Sequence, residues 1–152
     1  MKKVLCVCLG NICRSPAAEG ILRASAEKRK IPILVDSAGT GGWHVGRPPD
    51  ARMVQAASRR GYDLTTQRAR QVALSDFYEF DYVLAMDESN LADLQDMAPP
   101  NSETALHLFL AFSEVTQRET PDPYYGGASG FEHVLDLVEQ GAAGFLDFLE
   151  DR

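Results

Sequence analysis

A chain of 152 residues is long enough for one domain with a hydrophobic core, and 45% hydrophobic and 24% charged residues are ordinary for a globular protein. The formal net charge of −7 argues against general binding to nucleic acid or anionic membranes. No apolar run approaches the ~20 residues of a membrane-spanning helix, and Gly10 and Arg14 break the N-terminal run too early for a secretory signal. We therefore predict a single domain, 1–152, in the cytoplasm.

Short apolar runs alternate with helix-like stretches along the chain. The runs that predict strands are 4–7, 31–35, 82–85 and 105–109. The stretches that predict helices are 17–29, 50–60, 87–96 and 131–150. This alternation predicts an α/β fold with a parallel sheet of about four strands and helices on both faces. In such sheets, ligands bind beyond the carboxyl ends of the strands.

The last predicted helix carries apolar residues at helical spacing, and Gly141 and Gly144 are expected to interrupt it. Its wide apolar stripe is best explained by packing on the core. A monomer is therefore expected, although the stripe leaves room for a weak dimer contact.

The loop after the first strand, residues 8–15, holds the clearest chemistry in the chain, and we call it the phosphate loop. It precedes a helix N-terminus, where unpaired N–H groups and the helix dipole favour an anion. Cys8 can attack as a thiolate, and Arg14 can hold two phosphate oxygens through its planar fork. Gly10 and Asn11 tolerate positive φ, and Ser15 can donate to the thiolate or cap the helix. Pro16, the next residue, suits the first helical position.

The segment CLGNICRSP resembles the phosphate-binding loop of the low-molecular-weight protein tyrosine phosphatases. DSAGTGGWHVGRPPD, FDYVLAMDESNL and PDPYYGG resemble three further segments of that family, so the resemblance extends from Val4 to Gly127. It implies an enzyme that hydrolyses phosphotyrosine in proteins through a cysteinyl-phosphate, without metal or other cofactor, and that also accepts aryl phosphates. Besides Cys8 and Arg14, the loop residues expected to bind the substrate are Leu9, Gly10, Asn11, Ile12, Cys13 and Ser15.

A second catalytic piece is predicted at Asp122, which lies between two prolines. A positioned carboxylic acid can protonate the leaving oxygen and then act as a base on the water that clears the phosphoenzyme. Without the phosphate loop, an ordinary turn aspartate would be the better interpretation. Because the acid must be protonated to donate, we expect an acidic activity optimum.

Three aromatic residues are expected to enclose the phenyl ring of the substrate: Trp43, Tyr124 and Tyr125. A lone tryptophan more often belongs to a core, but the family resemblance favours a cleft wall at Trp43. A deep aromatic slot would keep the phosphorus of phosphoserine away from Cys8. In the family, the two tyrosines are also phosphorylation targets.

The three cysteines all lie within the first thirteen residues, which fits neither a disulfide framework nor a zinc site. Cys6 is interpreted as a core residue of the first strand. Cys13 lies across the loop from Cys8, and the resemblance favours a reversible disulfide between them that protects Cys8 from further oxidation.

Other polar residues are assigned smaller roles. Asp50 is expected to cap a helix, and Asp87 and Asn90 are expected to fix backbone at the active edge of the sheet. His44 and Arg47 are interpreted as surface residues, with Arg47 a weak candidate for recognising substrate charge.

The chain departs from the family at Gln67, where many members have a histidine that helps to hold the loop asparagine. Gln67 can supply a hydrogen bond but not a charge. Ile12 stands where some protein-arginine phosphatases of the family have threonine, which favours phosphotyrosine. Arsenate reductases of related fold need later cysteines, and none follows Cys13. A non-catalytic phosphopeptide-binding module would need neither Cys8 nor Asp122.

Overall fold

The computed structural model describes residues 1–124 and 126–151. The strands are β1 (Lys2–Cys8), β2 (Ile33–Gly39), β3 (Tyr82–Ala85) and β4 (Ala105–Leu108). The helices are α1 (Arg14–Arg29), α2 (Ala51–Arg59), α3 (Asp76–Glu79), α4 (Glu88–Met97) and α5 (Ala128–Glu150). The predicted alternation of strands and helices is confirmed.

The strands form one parallel sheet in the order β2-β1-β3-β4. β1 lies in the interior of the sheet, with Val4 opposite Val35 of β2 on one side and Tyr82 of β3 on the other. The chain first winds from β1 to β2 and then crosses to β3, so the winding direction reverses between β1 and β3. Such a reversal opens a crevice at the carboxyl ends of the two strands, and the phosphate loop begins there.

Alternate residues of the strands enter two cores, one on each face of the sheet. On one face, Cys6 and Leu84 pack with α1, α2 and α5. On the other face, Leu5 and Val83 pack with Phe77 of α3 and with α4. The predicted coverage of both faces is therefore confirmed. Cys6 is a core residue, as predicted, and burial raises the pKa of its thiol.

Helix α1 begins at Arg14, three residues earlier than predicted. Pro16 is therefore the third helical residue rather than the first, and its missing N–H costs little because first-turn N–H groups have no partner within the helix. Cys13 occupies the N-cap position, and no side chain caps the helix there. Ser15 is thus free to serve the phosphate loop instead.

Two strand predictions were displaced by local chemistry. β2 begins after Pro32, which has no N–H to donate to the sheet, and it continues to Gly39. Phe109 leaves β4 and begins a 3-10 turn, Phe109–Phe112. The short helix α3 was not predicted.

Helix α5 starts after its N-cap residue Gly127 and runs unbroken through Gly141 and Gly144, so the predicted interruption was wrong. A Cβ atom at Gly141 would lie 2.6 Å from the Phe109 ring, and one at Gly144 would lie 2.7 Å from Cα of Ser113. The two glycines therefore allow the 3-10 turn and the chain after it to pack directly on the helix. Within the described residues, no helix is long and apolar enough to cross a membrane.

Candidate active site

The phosphate loop curls around the sulfur of Cys8. Cys8 Sγ lies 3.0 Å from Ser15 Oγ, and the backbone N–H of Asn11 donates to the same sulfur at 3.2 Å. Asn11 adopts the left-handed conformation with φ 58°, as expected for an asparagine in a tight loop. Two donors are therefore available to stabilise a thiolate at Cys8.

The side chain of Asn11, only 2% exposed, lies behind the loop and ties it together. Its Nδ2 donates to Ser15 Oγ at 2.8 Å and to Ser37 Oγ at 3.0 Å, and its Oδ1 accepts from the N–H of Arg70 at 3.0 Å. Because Ser15 Oγ accepts from Asn11, its own proton can be donated to Cys8 Sγ at 3.0 Å, with the Ala38 carbonyl a longer alternative acceptor at 3.4 Å. Ser37 in turn donates to the buried Glu19 at 2.7 Å.

The outer side of the loop is bound by the chain that follows β2. The N–H groups of Thr40, Gly41 and Asp50 donate to the carbonyl oxygens of Cys8, Leu9 and Ile12, at 2.9, 2.9 and 2.8 Å. With these carbonyls bound outside, an anion in the loop faces N–H groups, as in other anion-binding concavities.

Arg14 projects from the start of α1 across the crevice between β1 and β3. Its Nη1 donates to Asp87 Oδ2 at 2.6 Å and to the Thr120 carbonyl at 3.1 Å. Burial lowers the pKa of Arg14, but the neighbouring Cys8 and Asp87 have the larger effect, and the net pKa is raised. Asp87 also caps α4 by accepting from the N–H of Asn90 at 2.7 Å, as predicted. The guanidinium thus keeps its charge and a fixed orientation.

A cleft of about 380 Å³ opens above the loop. The residues that line it are Cys8, Leu9, Gly10, Ile12, Cys13, Arg14, Trp43, His44, Asp122 and Tyr124. Nine of these ten were predicted as site residues, whereas Asn11 and Ser15 lie behind the wall. Tyr125 lies outside the described residues.

The aromatic side of the cleft is formed by Trp43 and Tyr124. The Trp43 ring packs on Gly41, where a Cβ atom would overlap it, and the side chain remains 71% exposed. Tyr124 is half-buried, and the guanidinium of Arg52 lies 5.5 Å from its ring centre. These two rings provide an apolar wall above the polar base of the cleft.

Asp122 lies at the mouth of the same cleft, with its side chain 44% exposed. Its Oδ1 accepts from the N–H of Tyr124 at 3.0 Å, and its Oδ2 lies 3.7 Å from Arg14 Nη2. The local turn orients the carboxyl group, which can therefore exchange a proton with a ligand bound above Cys8.

Two residues of the site were not found by sequence reasoning. His44, interpreted as a surface residue, is half-buried in the cleft wall, with its ring 6.3 Å from that of Tyr124. Arg52 donates to the Tyr124 carbonyl at 2.8 Å. Its neighbour Asp50 accepts from the N–H of Arg52 at 2.8 Å and caps α2, as predicted. In the sequence, only the position of His44 next to the predicted cleft residue Trp43 pointed to a place in the site.

The remaining polar residues of the loop region have defined positions. Gln67 Nε2 donates to the Pro16 carbonyl at 3.0 Å rather than binding Asn11, and Gln67 Oε1 has no hydrogen-bond partner in the described part of the chain. Burial raises the pKa of the Cys13 thiol, so Cys13 stays neutral while it shares the cleft with Cys8. Among residues 1–124 and 126–151, no group of three or more His, Cys, Asp or Glu is arranged to hold a metal ion.

Comparisons with known proteins agree over nearly the whole chain. The sequence model of the family described as low molecular weight phosphotyrosine protein phosphatase matches residues 3–152. A low molecular weight phosphotyrosine protein phosphatase of Schizosaccharomyces pombe is 44% identical over 142 residues, which cover 90% of each chain.

Solved structures show the same likeness. A protein tyrosine phosphatase from Entamoeba histolytica, crystallised with Hepes in the active site, superposes with a TM-score of 0.95 at 38% identity, covering 99% of this chain and 98% of its own. A Drosophila arginine phosphatase superposes with a TM-score of 0.92 at 37% identity, covering 98% of each chain.

Proposed function

The chain belongs to the low molecular weight phosphotyrosine protein phosphatase family and is a phosphatase, and from this premise we propose that it hydrolyses phosphotyrosine through a cysteinyl-phosphate intermediate, without a metal ion. The observation that carries the proposal is the convergence of Cys8, Arg14 and Asp122 on one cleft. These residues supply a nucleophile, a phosphate-binding cation and a proton donor.

In the first step, Cys8 Sγ attacks phosphorus opposite the bridging oxygen of the substrate. The P–S bond forms and the P–O bond breaks, while Arg14 and the loop N–H groups bind the three non-bridging oxygens. Asp122 donates its proton to the departing phenol oxygen. Because this proton comes from a carboxylic acid, the activity has an acidic optimum.

In the second step, a water molecule attacks phosphorus and Asp122 accepts its proton. The P–S bond breaks, and the sulfur leaves as a thiolate that Ser15 and the Asn11 N–H stabilise, at 3.0 and 3.2 Å. The same contacts therefore assist the attack on phosphorus and the departure from it. Positive charge on Arg14 takes the place that a metal ion has in other phosphatases.

The cleft selects aromatic esters because the walls formed by Trp43 and Tyr124 fit a phenyl ring, whereas a serine phosphate is too short to reach Cys8. The expected contact of Tyr125 with the substrate falls on a residue outside the described part of the chain and stays a prediction from the sequence. The substrate is a tyrosine-phosphorylated protein, and simple aryl phosphates are also accepted. One domain, 1–152, carries the whole activity as a monomer in the cytoplasm, a reducing compartment that keeps the cysteines as thiols.

Cys8 and Cys13 also provide a reversible protection against oxidation. Both line the same cleft, so a sulfenic acid formed at Cys8 condenses with the Cys13 thiol to a disulfide and releases water. Peroxide treatment is then expected to stop activity until a thiol reductant restores it. Inactivation that a reductant cannot reverse contradicts this role.

Phosphoarginine is the second candidate substrate, because the fold superposes on a Drosophila arginine phosphatase with a TM-score of 0.92. The cleft presents Ile12 at its base. Where some arginine phosphatases of the family have threonine at this position, the larger isoleucine favours phosphotyrosine.

The test is phosphate release in the presence of EDTA from phosphotyrosine, phosphoarginine and phosphoserine peptides. Wild type is compared with Cys8→Ser and with Cys6→Ala, which removes a buried thiol that does not line the cleft. Release from phosphotyrosine by wild type and Cys6→Ala, but not by Cys8→Ser, supports the proposal. Preference for phosphoarginine retains the mechanism and overturns the substrate. Binding without any release identifies a phosphopeptide-binding module.

A further inference from the structure

We infer that Arg70 is a positioning residue for the nucleophile: its guanidinium, clamped by Asp76 and Asp36 outside the cleft, holds the backbone that fixes Asn11. This inference rests on the proposed function, because Asn11 acts there on the Cys8 sulfur. Arg70 itself does not line the cleft.

The backbone of Arg70 joins the phosphate loop to the end of β2. Its N–H donates to Asn11 Oδ1 at 3.0 Å, and its carbonyl accepts from the Gly39 N–H at 2.8 Å. Two residues later, the N–H of Val72 donates to the Gly39 carbonyl at 2.9 Å. Residues 70–72 belong to no named strand, so their position depends on these bonds and on their side chains.

The guanidinium of Arg70 anchors this short segment. Nη1 and Nη2 donate to the two oxygens of Asp76 at 2.9 and 3.1 Å, a bidentate pair with fixed geometry. Nη2 also donates to Asp36 Oδ2 at 3.1 Å. Asp76 is only 3% exposed, and its Oδ2 accepts from the N–H of Ala73 at 2.8 Å. A buried carboxylate with these partners is a firm support for the backbone on either side of it.

Asn11 needs such support because it holds a left-handed conformation, with φ 58°, which costs energy in a residue other than glycine. The Arg70 N–H determines which way the Asn11 amide faces, since it binds the oxygen and leaves the nitrogen for Ser15 and Ser37. A shift of Asn11 therefore moves both groups that donate to Cys8 Sγ, its own backbone N–H and the Ser15 hydroxyl. Gln67, which reaches Pro16 instead, does not replace this contact.

The test uses Arg70→Ala and Asp76→Asn, with Arg60→Ala as the matched control. Arg60 also binds several carboxylates, those of Glu132, Asp136 and Glu139, but far from the loop. The first readout is the rate at which iodoacetamide alkylates Cys8 at mildly acidic pH, with the labelled cysteine identified by mass spectrometry. The second is kcat and kcat/KM with phenyl phosphate, and the third is stability in urea.

Arg70→Ala is expected to slow alkylation and to lower kcat and kcat/KM together by about tenfold, because a misplaced loop weakens transition-state contacts. Asp76→Asn gives a smaller loss in the same direction. Arg70→Lys loses less activity than Arg70→Ala because a lysine keeps one ion pair. Arg60→Ala lowers stability but changes neither alkylation nor kcat. An equal loss of alkylation in Arg60→Ala, or an unchanged rate in both Arg70→Ala and Asp76→Asn, overturns the inference.

A double-mutant cycle with Asn11→Ala separates positioning from general stability. If Arg70 acts through Asn11, Arg70→Ala adds no further loss to the alkylation rate of Asn11→Ala. Additive losses contradict the inference. Alkylation is measured without substrate, so it is independent of the proposed reaction: a wild type that releases no phosphate overturns the proposed function, whatever the alkylation rates are.

Discussion

The phosphate loop and the acid segment, residues 119–124 and 126–127 of the described chain, both contribute to the cleft but are held in different ways. Most residues of the loop are buried, and the loop is bound on its outer side by the chain after β2 and by residues 70–72. In the acid segment, Asp122 and its neighbour Pro121 are exposed. Within the described residues of this segment, the Thr120 N–H donates to the Met86 carbonyl at 2.8 Å, the Thr120 carbonyl accepts from Arg14 at 3.1 Å, and the Tyr124 carbonyl accepts from Arg52 at 2.8 Å.

The difference follows from what each part has to do. Donors that stabilise charge on the phosphate must be in place before the reaction, because moving them during it would cost the energy they supply. In the proposed mechanism, Asp122 serves two partners in turn, a leaving oxygen and then a water molecule, and the product has to leave past it. Rigid support is therefore needed at the loop and not at the acid.

The largest expected effect is that of Arg14→Lys in the loop. Lysine keeps the charge but lacks the planar fork that, in the proposed mechanism, binds the phosphate while the same guanidinium donates to Asp87 and to the Thr120 carbonyl. We expect kcat for phenyl phosphate to fall about 10³-fold. Arg29→Lys, which changes an arginine paired with Asp147 on the far end of α1, should retain activity. A loss in Arg14→Lys no greater than in this control would show that charge alone suffices.

Asp122→Asn, in the acid segment, is expected to lower kcat for phenyl phosphate about 100-fold, which is typical for general acid catalysis. The loss should be much smaller for an aryl phosphate with an electron-poor phenol, because that leaving group needs no proton. Inhibition by inorganic phosphate should be unchanged, since the loop remains intact. Activity of wild type should fall as pH rises, because general acid catalysis needs a protonated carboxylic acid, and this fall should be absent in the variant.

If the loss of kcat in Asp122→Asn is the same for both leaving groups, Asp122 is not the acid. Asp63→Asn provides the control, because Asp63 is an exposed carboxylate bound to Thr65 outside the cleft.

The smallest effects come from Gly→Ala substitutions at the end of β2, next to the phosphate loop, and in the acid segment. A Cβ atom at Gly39 would lie 2.7 Å from the Leu9 carbonyl oxygen, whereas one at Gly126 would meet nothing closer than 3.6 Å. Gly39→Ala is expected to lower the free energy of unfolding by about 1–3 kcal/mol and to reduce kcat, because the loop must shift. Gly126→Ala should change neither. Urea denaturation measures the free energy of unfolding, and steady-state kinetics measures kcat. Equal effects in the two variants would contradict the different support of the phosphate loop and the acid segment.

The parts of the site that sequence reasoning found are local in the chain. Cys8 and Arg14 lie in one loop with a recognisable spacing, and Asp122 is marked by its two prolines. The contacts that it missed join distant residues: Arg70 and Asn11 are 59 residues apart, and Arg52 and Tyr124 are 72 apart. A single sequence holds no direct record of such pairs.

The same reason explains the errors in the fold. Gly141 and Gly144 lower helix propensity, which predicted an interruption of α5. The packing of Phe109 and Ser113 against them outweighs that local preference. Conversely, the strand 82–85 was predicted with its observed bounds, because a buried β-strand of a parallel sheet is apolar along its whole length.

Helix α5 connects the acid to a distant part of the molecule. The chain that leads to Asp122 rests on the helix at Gly144, and the chain that follows Asp122 enters the same helix at Gly127. These two anchors are about 25 Å apart along the axis, while the intervening chain can extend to about 45 Å. The segment that carries Asp122 therefore has both of its ends fixed to α5 and is longer than the distance between them. Because this spare length can absorb a small tilt of α5, the distance from the carboxyl group to the Cys8 sulfur depends instead on the contacts of Thr120 and Tyr124 on either side of the acid.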